Sequence, residues 1–158
     1  MSQYQDLIEK FYSAFQNKDS KSMIECYHND VKFSDPIFQN LKGMQAKAMW
    51  MMLVEKAPEL KIQFNNIKAE GDSGSADWIA DYPYGKSGRK IHNVIHAEFK
   101  FKDGKIIHHK DNFNLWKWAG MALGLSGLLL GFTPMVQNKI RSEALTGLTM
   151  YMKRKKLS

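Results

Sequence analysis

The 158-residue sequence contains a single cysteine, Cys26, and only four prolines. One cysteine cannot form a disulfide within the chain, so nothing in the sequence requires an oxidising compartment. The first ten residues are polar and lack the apolar core of a signal peptide. We therefore expect a cytoplasmic location, and we expect Cys26 to be a small buried core residue rather than a nucleophile.

The net positive charge is concentrated in the C-terminus. The net charge is +7, but six basic residues and one acid within residues 139–158 account for five of those charges. A nucleic-acid-binding surface needs basic residues spread over a folded face, together with aromatic residues that stack on bases. The sequence therefore predicts no nucleic-acid partner.

Helical spacing of apolar residues dominates the first part of the chain. The predicted helices cover residues 4–16, 17–28 and 43–57, and Pro58 ends the third. A short strand with the sequence VKFSDP separates the second helix from the third.

Beyond Pro58 the apolar period changes to two, which indicates strands. They are predicted over residues 60–71, 74–85, 89–102 and 104–116, with turn signals at residues 71–74, 85–88 and 103–104. The sequence therefore predicts an α+β domain in which three N-terminal helices pack on a strongly curved antiparallel sheet.

The last two predicted strands allow a prediction of register. Odd-numbered residues are the more apolar set in both strands, so they should face the core in both. A two-residue turn at Asp103-Gly104 would pair odd with even residues, whereas a three-residue loop with Gly104 as a left-handed bulge pairs odd with odd. We therefore predict the three-residue loop. The cross-strand pairs it predicts are Glu98 with His108 and His96 with Lys110.

This register places His109 and Asp111 on the buried face of the sheet. A buried carboxylate must either find a partner or hold a proton, because an unpaired charge is costly in the interior. Asp35 is a second acid in an apolar context, within VKFSDPIF and directly before Pro36. It is either a turn residue or a base at the mouth of an apolar pocket.

Three further histidines, His92, His96 and His108, share the outer face of the predicted sheet. They suggest zinc at first sight, but a metal site also needs fixed tetrahedral geometry and supporting contacts. A dimer surface explains exposed histidines without a metal. We therefore predict no metal site.

The order of these elements, the VKFSDPIF strand, the helix from Gly43 and the FKFKDGKII hairpin resemble the nuclear transport factor 2-like fold. Ketosteroid isomerase and the SnoaL-type polyketide cyclases are the most similar branches. The resemblance covers roughly residues 4–116 and implies a cone-shaped α+β barrel, in which the bent sheet wraps a long helix and leaves an apolar pocket. It also implies a homodimer through the outer sheet face, and it divides the chain into a domain of residues 1–116 and a helical extension of residues 117–158.

The resemblance also implies functional residues. The SDP segment of ketosteroid isomerase carries its general base, which implies that role for Asp35. Phe11 and Ala97 stand where that enzyme has its two oxyanion donors, so both donors are absent. The cyclases carry a catalytic aspartate on the last strand, which implies Asp111. The aspartate–arginine–aspartate relay of epoxide hydrolases of this fold has no clear counterpart, because Arg89 is the only arginine before residue 141.

We therefore predict that Asp35 abstracts a proton while Asp111, aided by His109, donates one or stabilises charge. Aromatic residues should line the pocket, although core packing is the more common fate of such side chains. They are Tyr12, Trp50, Trp78, Tyr82 and Phe113. No cofactor is implied. Two functions remain open: an acid–base isomerase, cyclase or dehydratase acting on an apolar carbonyl compound, and a non-catalytic carrier of an apolar ligand.

The segment from Ala119 to Val136 carries no charge and has the minimum length of a membrane span. Its four glycines would line one face of a continuous helix. The same glycines and Pro134 equally allow two short helices. We predict a helical arm that packs over the pocket or a dimer partner, with membrane contact by the basic C-terminal helices as the alternative.

Overall fold

The computed structural model describes residues 2–85 and 87–158, which form six helices and six strands. The helices are α1 (Gln3–Gln16), α2 (Ser20–Glu25), α3 (Met44–Lys56), α4 (Leu115–Leu123), α5 (Leu125–Leu130) and α6 (Pro134–Arg154). The strands are β1 (Tyr27–Ser34), β2 (Leu41–Lys42), β3 (Lys61–Glu70), β4 (Ser73–Pro83), β5 (Lys90–Lys102) and β6 (Lys105–Asn112). This is the predicted α+β class. The turn predicted at residues 85–88 includes Lys86, which lies outside the described residues.

The strands form one sheet in the order β2-β1-β6-β5-β4-β3. Neighbours are antiparallel except β1 and β6, which run parallel. The sheet is therefore mixed, not purely antiparallel as predicted. The reason is that β1 joins β6 only after the chain has built α3 and four further strands, and such a long crossover permits parallel pairing.

The helix predicted over residues 17–28 is too long. It ends at Glu25, and Tyr27 begins β1. The N-cap is Asp19, whose carboxylate accepts a hydrogen bond from the backbone N–H of Ser22 at 3.1 Å. Cys26 is fully buried as predicted, and burial raises the pKa of its thiol to about 11.

The hairpin between β5 and β6 has a two-residue turn, not the predicted three-residue loop. Lys102 pairs with Lys105, and Asp103 and Gly104 have φ values of 54° and 76°. Positive φ at both central residues is what a type I′ turn requires. The predicted loop was wrong because parity along the strands does not reveal where an extra residue is inserted.

That extra residue is Ile107, a β-bulge in β6. Phe101 lies opposite Ile106, whereas Lys100 lies opposite His108. The predicted pairs are therefore displaced by two residues. Glu98 faces Lys110, and His96 faces Asn112. Because the bulge restores parity, Phe99 pairs with His109 and Ala97 with Asp111, and both polar residues are buried as predicted.

The uncharged C-terminal segment folds as short helices. Asn114 caps α4 by accepting from the Lys117 N–H at 3.0 Å, and Gly124, with φ of 70°, separates α4 from α5. The last predicted strand is therefore shorter than predicted, and the predicted domain boundary at residue 116 falls within α4. Among residues 2–85 and 87–158, no helix combines the length and apolar character needed to cross a bilayer.

The longest C-terminal helix, α6, packs on the domain. Leu148 and Tyr151 are buried in the main core, and the Tyr151 hydroxyl donates to Glu55 of α3 at 2.8 Å. At the other end of α6, Arg141 Nε donates to the carbonyl of Pro36 at 2.9 Å. The extension therefore forms a helical arm that packs on its own domain, whereas packing over a pocket or a dimer partner stays a prediction.

Gly127 allows α5 to lie directly on α4. A β-carbon at this position would overlap the backbone carbonyl of Ala119. We expect Gly127→Ala to lower the free energy of unfolding by about 2 kcal/mol, a typical cost of overpacking, as measured by urea denaturation. Gly147→Ala on α6 is the matched control, because a β-carbon there meets nothing within 4 Å. The control should stabilise by about 0.5–1 kcal/mol, and an equal loss in both variants would contradict the packing role of Gly127.

Candidate functional site

Buried polar side chains form a hydrogen-bonded chain through the interior. Trp50 Nε1 donates to the Tyr27 hydroxyl at 2.7 Å, and that hydroxyl lies 2.7 Å from His109 Nδ1. His109 Nε2 lies 2.9 Å from Asp111 Oδ1, and Trp78 Nε1 reaches the same oxygen at 3.3 Å. All five side chains are buried, with at most 6% of any residue exposed.

Counting donors and acceptors places the protons in this chain. An indole N–H can only donate, so the Tyr27 oxygen accepts from Trp50 and its own proton goes to His109 Nδ1. Nδ1 is then the acceptor of a neutral imidazole, and Nε2–H donates to the Asp111 carboxylate. A doubly protonated His109 would leave the Tyr27 proton without an acceptor. The arrangement that gives every proton an acceptor therefore has Tyr27 donating to His109 Nδ1 and His109 Nε2 donating to Asp111.

Three elements bring this chain together. Tyr27 begins β1, His109 and Asp111 are two residues apart on β6, and the parallel β1–β6 pairing places the two strands side by side. Trp50 on α3 stacks on the His109 ring, with centroids 5.8 Å apart and an interplanar angle of 15°. Further rings pack around the imidazole from α1, β1 and β5. They are Phe11, Phe33 and Phe99, at 5.6, 5.0 and 4.4 Å.

Tyr12 is the exception to this complete pairing. It is fully buried, yet its hydroxyl has no hydrogen-bond partner among the described residues. Its ring stacks on Phe64 at 5.6 Å and lies 5.8 Å from Trp78. Burial, and then the charge of Asp111, raises the pKa of Tyr12 well above its usual value, so the hydroxyl keeps its proton. A buried donor without a partner costs about 1–3 kcal/mol, so the Tyr12 hydroxyl has an unused hydrogen-bonding capacity in the interior.

Asp35 lies in the loop after β1 and is partly buried. Its Oδ1 accepts the backbone N–H groups of Ile37 and Phe38 at 2.7 and 2.6 Å, so the residue does form a turn. Oδ2 accepts no hydrogen bond from the part of the chain that the structure describes. Burial is the main cause that raises the pKa of Asp35 to about 7; the charge of Asp111 adds to it, and the two backbone hydrogen bonds oppose it.

The C-terminal arm covers the region around Asp35. Trp118 on α4 donates to the Tyr82 hydroxyl at 3.0 Å, and Arg141 on α6 donates to Pro36. Burial raises the pKa of Tyr82, the hydrogen bond from Trp118 opposes the shift, and the charge of Asp35 adds to it. Phe113, which follows β6 instead of lying on the last strand, packs against both the main core and the cluster around Trp118.

The predicted site residues therefore fall into two neighbouring groups. His109, Asp111, Trp50 and Trp78 are in direct contact, and Tyr12 packs on Trp78. The second group, Asp35, Tyr82 and Phe113, lies under the C-terminal arm and is linked to the first through the charge of Asp111 on Asp35.

Sequence reasoning missed Tyr27, which joins Trp50 to His109. A signal was available, because Tyr27, Val31 and Phe33 are the large apolar residues of YHNDVKF and all have odd numbers. All three are buried.

Two cavities lie away from Asp35 and Asp111, although His109 is among the residues that line the first of them. One of about 610 Å³ is on the outer face of β1, β2, β5 and β6, and one of about 640 Å³ lies between α4, α5 and the start of β5. Neither includes Asp35 or Asp111 in its lining. The apolar pocket between these two acids stays a prediction.

The outer-face histidines are exposed as predicted. His92 bonds to Asp81 at 2.6 Å and His96 to Asp77 at 2.7 Å. Within the described ranges, no three histidine, cysteine or acidic side chains are grouped as a metal site needs. The homodimer through this face stays a prediction.

Comparison with known proteins agrees with this architecture. A family model described as the SnoaL-like domain matches residues 8–109. A nuclear transport factor 2-like protein of unknown function from Burkholderia pseudomallei superposes with a TM-score of 0.67 at 14% identity, covering 77% of this chain and 98% of that one. A search of curated proteins finds no significant match.

Two similar structures carry names that suggest chemistry. A Mycobacterium tuberculosis LEH-like epoxide hydrolase has a TM-score of 0.65 at 18% identity, covering 82% of this chain and 96% of that one. A putative polyketide cyclase from Xanthomonas campestris has a TM-score of 0.64 at 20% identity, covering 76% and 96%. Likeness at such identities shows the fold alone. The match over more than half of the chain shows the family: this protein belongs to the SnoaL-like domain family and has the predicted nuclear transport factor 2-like fold.

Proposed function

We propose that this protein is an acid–base enzyme of the isomerase, cyclase or dehydratase type, acting on an apolar carbonyl compound with Asp35 as the base. The observation that carries the proposal is the Asp35 carboxyl, which is partly buried, has a pKa of about 7 and keeps Oδ2 free of hydrogen bonds from the described residues. A general base works best when its pKa lies near the working pH, since it is then both ionised and basic.

The proposed first step is proton abstraction next to the substrate carbonyl. Asp35 Oδ2 takes the proton, and the electron pair of the C–H bond moves onto the carbonyl oxygen as an enolate. Asp35 then returns the proton to a different atom of the same substrate in an isomerisation, so that the carboxylate is regenerated. Asp111 supports the step because its charge helps to raise the pKa of Asp35.

An enolate oxygen needs a donor in a site that excludes water. Asp111 Oδ1 is not available as a donor, because it accepts from His109 and Trp78. The Tyr12 hydroxyl is buried, protonated and without a partner, so we assign the donor role to it. In this proposal His109 and Tyr27 are positioning residues that hold Asp111 in place.

Proton exchange tests the base directly without knowledge of the natural substrate. We expect the protein to accelerate deuterium incorporation beside the carbonyl of 2-tetralone in D₂O, followed by proton NMR, with a rate that rises as pH passes through about 7. Asp35→Asn should lower the protein-catalysed rate by about 100-fold or more. Asp30→Asn is the matched control, because its side chain is 88% exposed.

Exchange that is no faster than in buffer, or equally fast in Asp35→Asn, would contradict the enzymatic proposal. The second candidate is then a non-catalytic carrier of an apolar ligand. One observation favours it: Phe11 and Ala97, at the positions implied for two oxyanion donors, are fully buried apolar residues. Native mass spectrometry of gently purified protein should then show a retained apolar compound in both the parent protein and Asp35→Asn.

A further inference from the structure

Exposed apolar side chains are concentrated in one short segment. Among the residues that the structure describes, ten large apolar side chains are exposed, and six of them lie within residues 125–135. Between 47% and 75% of each is accessible. We call these six the apolar prong: Leu125, Leu128, Leu129, Leu130, Phe132 and Met135.

The apolar prong cannot turn inward, because glycine occupies the inner face of α5. Gly127 lies directly against the Ala119 carbonyl of α4, where no side chain fits. A β-carbon at Gly131 would also approach the Ala119 Cβ to 2.9 Å. Trp116 Nε1 donates to the Leu128 carbonyl at 2.8 Å and fixes the rotation of α5. Small residues thus face the protein and large apolar residues face outward, the reverse of an ordinary surface helix.

The charges around the apolar prong have one sign. Residues 112–142 contain no aspartate or glutamate, while Lys117, Lys139 and Arg141 lie in this range. The cavity beside α5 is lined by Arg89, Lys90 and Lys117 together with Leu125 and Leu128. An apolar surface with a basic rim is complementary to a layer that is anionic outside and apolar beneath.

We propose that the apolar prong docks on an anionic phospholipid membrane, inserting its leucines below the headgroups while the basic rim contacts lipid phosphates. The segment would lie in the interface and not span it, as amphipathic membrane-surface helices do. Trp116 is 46% exposed and tilted against Phe132, with ring centroids 5.4 Å apart, and indole rings favour the headgroup boundary. This inference is independent of the proposed reaction.

A second copy of the chain fits the apolar prong less well than a bilayer. Symmetric packing of two prongs would bring Arg89, Lys90 and Lys117 of both copies together. Like charges across an interface are unfavourable. Anionic headgroups, by contrast, neutralise the rim while the acyl region accepts the leucines.

Vesicle sedimentation with the full chain tests the proposal. We expect the protein to pellet with phosphatidylcholine vesicles that contain phosphatidylglycerol, to pellet much less with phosphatidylcholine alone, and to be released by salt. The triple variant Leu125→Gln/Leu128→Gln/Leu129→Gln should lower the partition coefficient at least about tenfold, because three apolar side chains are lost from the buried face.

The matched control replaces three other exposed apolar residues elsewhere. Val94→Gln/Leu145→Gln/Met150→Gln changes side chains that are 55%, 46% and 64% exposed and should leave partitioning unchanged. Circular dichroism should show the same melting temperature for both triple variants, since all six positions are on the surface.

Fluorescence gives a second, local measurement. Trp50, Trp78 and Trp118 are buried, so quenching by brominated lipids should report mainly Trp116. The quenching should disappear in Trp116→Phe.

Three results would overturn the membrane assignment. The first is no partitioning into anionic vesicles. The second is a failure of either comparison: partitioning into neutral vesicles equals that into anionic ones, or both triple variants lose partitioning to the same extent. The third is a dimer that the prong variant dissociates without any vesicle binding, which would make this surface a contact between copies of the chain.

Discussion

Asp35→Asn should be more stable than the parent protein at pH 8, by about 2–4 kcal/mol. The pKa of Asp35 is raised from 3.8 to about 7 in the folded state, and each pKa unit corresponds to about 1.36 kcal/mol. The folded protein therefore binds this proton more tightly than the unfolded chain does. The parent protein loses stability as pH rises from about 4 to about 7, whereas asparagine carries no charge to bury.

The asparagine side chain also keeps the turn. Its carbonyl oxygen can accept the N–H groups of Ile37 and Phe38, as Asp35 Oδ1 does. Urea denaturation at pH 5 and pH 8 measures the effect, with Asp30→Asn as the control for removal of an exposed acid. An advantage of the same size at both pH values would show that the folded protein does not raise the pKa of Asp35.

The same substitution should abolish proton exchange, so stability and activity would change in opposite directions. Opposite effects are expected at a functional site, because burial of an ionised carboxylate lowers the stability of the fold while it makes the carboxylate a stronger base.

Removal of the hydroxyl should change the free energy of unfolding in opposite directions at the two buried tyrosines, Tyr27 and Tyr12. Tyr27→Phe removes the acceptor of the Trp50 N–H and the donor to His109 Nδ1 in one step. Each orphaned buried group costs about 1–3 kcal/mol, so we expect a loss of about 2–4 kcal/mol. Tyr12→Phe removes a hydroxyl that already has no partner among the described residues, and we expect a gain of about 1–2 kcal/mol.

Urea denaturation of both variants under one condition makes this comparison, since each change deletes one oxygen from a buried ring. Similar losses in both would mean that the Tyr12 hydroxyl is bonded in solution. If Tyr12 acts as the oxyanion donor, Tyr12→Phe should also lower the rate of deuterium exchange into 2-tetralone, although the variant is more stable than the parent protein. A variant that exchanges at the parent rate would leave Tyr12 a core residue only.

Several properties of the site follow from short-range pattern. The odd-numbered apolar positions of β5 and β6 predicted that His109 and Asp111 face inward, and both are buried. The inward orientation was predicted correctly although the predicted loop was wrong, because the bulge at Ile107 and the predicted three-residue loop both add one residue to the hairpin. Side-chain direction alternates residue by residue, so any single insertion before His109 gives the same face.

The partners of those residues could not be predicted in this way. Tyr27 reaches His109 because β1 runs parallel to β6, a pairing between residues that are 82 positions apart. Burial raises the pKa of Asp35, and the C-terminal arm contacts the adjacent Pro36 through Arg141, 105 positions away. Neither contact leaves a periodic signal in the local sequence.

The amino-acid sequence alone determined the α+β class, the alternation of buried and exposed side chains on β5 and β6 and the uncharged character of residues 119–136. Only the tertiary structure decided which polar atoms meet in the interior and which leucines stay in contact with solvent. The physical reason is range. Helix and strand periods are set by steric contacts within a few residues, whereas the Tyr27–His109 bond and the packing of Gly127 on Ala119 exist only after distant backbones have been brought together.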